Sequence, residues 1–219
     1  MSEYSEAEQY ERFKGWIRAN GLWIVVGVAI GAAGWGGWNW YKDRRVSQAE
    51  TASARYEEMI EAFGRSDRTR SLTIAEDLKR EYSWTPYAAL AGLMAARIHV
   101  EANELDKAAA SLKSVMDTAS DSEIRVVARM RLARVQSAQH KFDDALATLK
   151  VDDPGEFATR LADVRGDVLL AKGDREGALR EYLAARAGDN KSRAVDTELL
   201  DLKIRDLGGT PPAAPEESS

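Results

Sequence analysis

The sequence predicts an all-α protein in which a single N-terminal transmembrane helix is followed by an α-solenoid of helix pairs. Two observations carry that expectation. One is a charge-free apolar stretch from Ala19 to Tyr41, in a chain of 219 residues of which 31% are charged. The other is a small–small–large spacing that recurs three times between residues 83 and 207, where no sustained period-two alternation calls for strands.

The apolar stretch comes first in the chain. Its 23 positions would extend roughly 34 Å as a helix, enough for a hydrocarbon layer of about 30 Å. Arg18 flanks one end and Lys42, Arg44 and Arg45 the other, with Trp38, Trp40 and Tyr41 suited to an interfacial aromatic belt. A buried soluble helix is usually shorter, and a cleaved signal has a shorter apolar region ending in small residues. The segment therefore reads as an uncleaved anchor over 19–41. Its strong inserters are few, and Gly27, Gly31 and Gly34 share a face on which another membrane helix packs closely. Residues 1–18 place Tyr10, Phe13, Trp16 and Ile17 at helical spacing, as an amphipathic leader on membrane lipid does. Three basic residues precede the span and four follow it closely, so charge alone leaves the orientation open.

The repeats follow. Ser47 to Tyr82 reads as a helical pair, a degenerate repeat over 47–82 broken between Gly64 and Arg68. Helix starts are then marked by Thr85-Pro86, by Ser120-Asp-Ser-Glu123 as a capping box, and by Asp153-Pro154-Gly-Glu156. Breaks centre on Asn103, His140 and Gly173. Ala96, Ala133 and Gly166 are followed twelve residues later by Ala108, Ala145 and Ala178, then by Leu112, Leu149 and Tyr182. The copies are offset by 37 and 33 residues, bracketing the roughly 34-residue tetratricopeptide period. The consensus large residue earlier on the first helix is missing, with Gly92, Arg129 and Ala162 in its place. The tail over 208–219, with three prolines and two glutamates, is too polar to pack and reads as disordered.

Beyond residue 45 there are 25 basic against 31 acidic residues, which argues against the basic stripe of a nucleic-acid-binding domain. There is no cysteine, hence no disulfide or thiolate chemistry. No hydrolase, metalloprotease, phosphate-loop or calcium-loop motif is present. No catalytic residue, metal ligand or cofactor is expected, and binding is the remaining activity.

The chain resembles the ancillary SecYEG translocon subunit family, also called YfgM-like proteins. The resemblance rests on the Asn20-Gly21 entry to the Gly-rich span, Trp38-Asn-Trp-Tyr41 and Ala52-Ser-Ala-Arg55-Tyr56. It continues through Tyr87-Ala-Ala-Leu90, Asn103 to Ala109, Arg131-Leu-Ala-Arg-Val-Gln136, and Asp163 to Asp167 with Lys172-Gly-Asp174. It implies a non-catalytic bacterial inner-membrane protein, with its N-terminus in the cytoplasm and its repeats in the periplasm. The implied partners are the SecYEG channel, the periplasmic chaperone and prolyl-isomerase homologue PpiD, and emerging secretory chains. From the residues alone, an adaptor for cell-wall or division machinery is the competing reading. In tetratricopeptide arrays the first helices line the concave surface. That makes Leu93, Arg97, Met130, Arg134 and Asp167 the candidate partner groove, with Arg97 and Arg134 placed to clamp a carboxylate.

Overall fold

The computed structural model describes residues 6–188 and 195–212. Part of the expected disordered tail, from residue 213 onward, and the first five residues of the leader lie outside the described residues. The described residues form α1 (Glu6–Gly64), α2 (Arg68–Glu81), α3 (Pro86–Glu101), α4 (Leu105–Thr118), α5 (Ser122–Ala138), α6 (Phe142–Thr148), α7 (Ala158–Lys172), α8 (Arg175–Gly188) and α9 (Thr197–Asp206). The chain divides into two compact units, Met1–Thr51 and Ala52–Ser219.

In the first unit the helix bends by 52° between Tyr10–Trp23 and Val25–Gly64. The expected span over 19–41 is therefore not found as one straight apolar helix. No single described helix is long and apolar enough to cross a membrane, and only the bent pair together meets that test. Four residues before the break Asn20 donates its side-chain amide to the Trp16 carbonyl (3.0 Å), and Gly21 follows. Leu22, Trp23, Val28, Ile30, Trp35 and Trp38 are all exposed. Arg44 lies over the Trp40 ring and Arg45 over the Tyr41 ring, each 5.4 Å from the centroid.

The second unit is a stack of helix pairs, each closed by the same backbone device. Ser66, Asn103, His140 and Gly173 take φ of 63°, 58°, 60° and 94°. At each, two amides turn back onto the helix just ended. Asn103 N–H reaches the Val100 carbonyl (2.9 Å) and Glu104 N–H the His99 carbonyl (2.8 Å); the other three breaks repeat the pattern. The breaks read from the sequence at Asn103, His140 and Gly173 are found, and Ser66 extends the register back to α1–α2. A β-carbon makes left-handed backbone costly, and Asn tolerates it better than Ser. Ser66→Gly is therefore expected to stabilise the unit by about 0.5–1 kcal/mol, read as a raised urea midpoint. His140→Gly should gain less, because the edge-on contact of His140 with Phe142 at 5.8 Å is lost.

The packing within each pair follows one size rule. Seven residues before each break stand Met59, Ala96, Ala133 and Gly166; nine after it stand Ala75, Leu112, Leu149 and Tyr182. As the first residue shrinks, the second grows, and all eight are buried. Between them Ser71, Ala108, Ala145 and Ala178 let the helices approach. The buried Ser71 hydroxyl is within bonding range of the Asp67 (3.0 Å) and Met59 (3.3 Å) carbonyls.

The missing consensus side chains also have structural reasons. A Cβ at Gly92 would stand 2.4 Å from Val115 Cγ2, so α4 fills that place. Arg129 instead reaches out, donating to the carbonyls of Thr148 (3.0 Å) and Lys150 (3.3 Å) and capping the end of the short α6.

Three helix starts differ from expectation. Asp121, not Ser120, caps α5, accepting from the amides of Glu123 (2.8 Å) and Ile124 (3.4 Å). The Thr85 hydroxyl donates to the Tyr82 carbonyl (2.8 Å) rather than capping α3. After Pro154 a 3₁₀ turn, Gly155–Phe157, precedes α7. α9 then stands where the first helix of another pair would, closed by Gly208 at φ 81°.

Candidate partner-binding groove

Six residues before the four breaks lie Ile60, Arg97, Arg134 and Asp167, one station repeated on successive first helices. Arg97, Arg134 and Asp167 are thus brought to one face. Leu93 and Met130, one turn earlier, are mostly covered, at 8% and 6% exposure. They form floor rather than rim.

Two clefts open on this face. The first, about 430 Å³, lies between α3 and α5 over Leu93, Ala96, Val100, Leu105, Leu112, Val135 and Ala138, rimmed by Arg97, Glu101, Arg131 and Arg134. The second, about 370 Å³, runs from α5 across α7 to α9 and is lined by Val127, Met130, Arg160, Asp163, Leu199 and Lys203 among others. Arg131 and Arg134 line both.

The charges on the rim are largely occupied. Arg97 donates to Glu101 (2.9 Å) and lies over the Phe63 ring at 5.0 Å. Arg134 is 3.7 Å from Asp167. Asp167 also accepts from the Tyr182 hydroxyl (3.0 Å) and from Lys203 (2.6 Å), which reaches Asp163 as well (2.8 Å). Burial, then the charge of Asp167, pushes the Tyr182 phenol well above its ordinary range. For Lys203 burial works against the charge, and hydrogen bonds to Asp163 and Asp167 more than offset it, so its pKa is raised. With Arg97 and Arg134 holding carboxylates of their own chain, a clamp made from those two alone would first have to give these up.

Sequence reasoning missed Arg131, Val100 and Lys203. Arg131 was read only as part of a motif. Lys203 lies 40 and 36 residues from its partners, and no local pattern announces such a pairing. The two histidines serve structure: His99 Nδ1 meets Glu104 at 2.7 Å, and His140 holds the left-handed break. Among the described residues no group of three potential metal ligands converges.

What this face belongs to emerges from comparison with known proteins. A family profile described as a tetratricopeptide repeat-like domain matches residues 14–209. The protein named ancillary SecYEG translocon subunit in Escherichia coli is 35% identical over 205 residues, covering 93% of this chain and 97% of that protein. Proteins of the same name in Neisseria gonorrhoeae and Haemophilus influenzae are 30% and 26% identical, each covering 92% of this chain and 97% of theirs. Matched from before the apolar segment to the end of α9, the chain belongs to the family of ancillary SecYEG translocon subunits, built on a tetratricopeptide repeat-like domain.

Proposed function

We propose that this chain is a membrane-anchored, non-catalytic scaffold that associates with the SecYEG export channel and links emerging periplasmic proteins to chaperones, PpiD among them. The observation that carries the reading is similarity along nearly the whole length to proteins named for that channel. A helical-repeat surface with open clefts suits a docking role. The reading places the repeats in the periplasm and the N-terminus in the cytoplasm of a bacterial inner-membrane protein.

The bend refines the proposed anchor. Tyr10, Phe13, Trp16 and Ile17 are exposed on the helix before it and lie on the membrane surface in this reading, with residues 25–41 crossing the bilayer. Those 17 positions sit at the short end of the ~17–25 residues a spanning helix uses. A Cβ added at Gly27, Gly31 or Gly34 would meet nothing within 4 Å, so that face is open to a channel helix.

Photocrosslinking in intact membranes tests the scaffold. Probes at Val28 and Val100 are expected to yield channel subunits and periplasmic chaperones or secretory chains, respectively. Gly27→Leu with Gly31→Leu should reduce co-purified channel about fivefold, the effect of losing about 1 kcal/mol of helix packing. Recovery of cell-wall synthases or division proteins with no channel subunit would favour the adaptor reading and sink this one.

A further inference from the structure

The α3–α5 cleft differs from the neighbouring cleft in polarity, and both carry an excess of basic side chains. Its floor is apolar, with Val100 still 44% exposed at the opening. Its rim carries three guanidinium groups, of Arg97, Arg131 and Arg134, against the single carboxylate of Glu101. The chain beyond residue 45, taken as a whole, runs the other way, with 25 basic and 31 acidic residues.

Of the three cations, two are engaged, Arg97 with Glu101 and Arg134 near Asp167. Arg131 is exposed and makes no ion pair or hydrogen bond among the described residues, although it lines both clefts. A planar guanidinium held at the mouth of an apolar recess offers a carboxylate two parallel hydrogen bonds. The recess below, at about 430 Å³, is in the size range of pockets that bury ligand side chains.

We propose that the α3–α5 cleft binds a peptide segment of a partner protein, which inserts a leucine- or phenylalanine-sized side chain and sets a neighbouring carboxylate on Arg131. The anion anchor is then Arg131 rather than the Arg97 and Arg134 pair. Charge complementarity selects this occupant: a basic peptide would meet the uncompensated charge of Arg131, and a purely apolar one would leave it unanswered. The inference rests on reading this face as a partner-binding surface and not on association with the channel.

The test uses the full chain in lipid nanodiscs and fluorescence anisotropy of a labelled peptide, Gly-Ser-Leu-Glu-Phe-Glu-Ser-Gly. Two control peptides replace Glu by Gln, or Leu and Phe by Ser. Both controls are expected to bind about tenfold more weakly, the effect of one good contact. Arg131→Glu and Ala138→Glu should each weaken the parent peptide at least about tenfold, while Arg180→Glu, on the exposed side of α8, leaves it unchanged. All three positions are exposed, and circular dichroism checks that the helices persist. Equal binding of the Gln peptide, or unchanged affinity in Arg131→Glu, would overturn the proposal. So would a dimer that Arg131→Glu dissociates, since the cleft would then belong to a second copy. Lost peptide binding with channel crosslinks intact removes this inference alone, and the converse removes only the translocon reading.

Discussion

Gly166→Ala is expected to destabilise the last helix pair by about 2 kcal/mol, and Tyr182→Leu introduced beside it to recover most of that loss. The added Cβ would stand 2.4 Å from Cε1 and 2.5 Å from Cδ1 of Tyr182. The ring has little room to retreat, since Tyr182 is 1% exposed and its hydroxyl donates to Asp167. Alanine improves helix propensity by up to about 1 kcal/mol, while overpacking costs about 1–3, and with so short an approach the clash wins. Leucine at 182 reproduces the Ala–Leu pairing found at Ala96/Leu112 and Ala133/Leu149. The two substitutions should therefore couple favourably, by about 2 kcal/mol in a double-mutant cycle. Hydrogen exchange is the suitable readout, because stacked pairs contact only their neighbours. Protection should fall across α7 to α9 and hold across α3 and α4. Simple addition of the two losses would show that the size rule does not govern these helices.

That size rule explains which parts of the fold were legible in advance. Alanine, glycine and leucine recur at fixed offsets because each pair closes by the same contact, so the sequence pattern and the packing are one constraint. The left-handed breaks were legible for a similar reason: Asn103 and Gly173 are residues that adopt that backbone cheaply. The first pair was obscured because Met59 and Ala75 reverse the order of sizes while keeping their sum. Helix starts failed where two capping residues stood side by side, as Ser120 and Asp121 do, and geometry alone chose between them. The bend at Trp23–Val25 lies inside a charge-free run in which no proline marks it. The groove was legible as a face, since Arg97, Arg134 and Asp167 share a station. Its charge state was not. Which cations are already spent depends on partners such as Glu101 and Lys203, and the latter arrives from α9.

Lys203→Met should loosen α9 by about 2 kcal/mol, between the ~1 kcal/mol of an exposed pair and the ~3–5 of a fully buried one, because the site keeps some solvent. Lys203 is 22% exposed, and Asp163 and Asp167 are 17% and 32% exposed. Removing the ammonium leaves two carboxylates one turn apart on α7, with Arg134 3.7 Å from Asp167 and the Tyr182 hydroxyl donating to it. Methionine keeps most of the apolar stem, so the loss reports charge more than packing. α9 retains its other ties, Leu200 and Ile204 in the core and Asp201 accepting from Arg186 at 2.8 Å. Exchange protection should therefore drop in α9 first, and Asp163→Asn added to Lys203→Met should restore part of it. The pH dependence has a definite sign. The folded-state pKa of Lys203 is raised above its ordinary 10.5, so its contribution is complete below that value and fades as pH climbs through the folded one. The stability gap between the parent chain and Lys203→Met should stay level from neutral pH to about 10 and narrow only beyond it. A gap that already closes near neutral pH would mean that the lysine holds α9 by packing rather than by its charge.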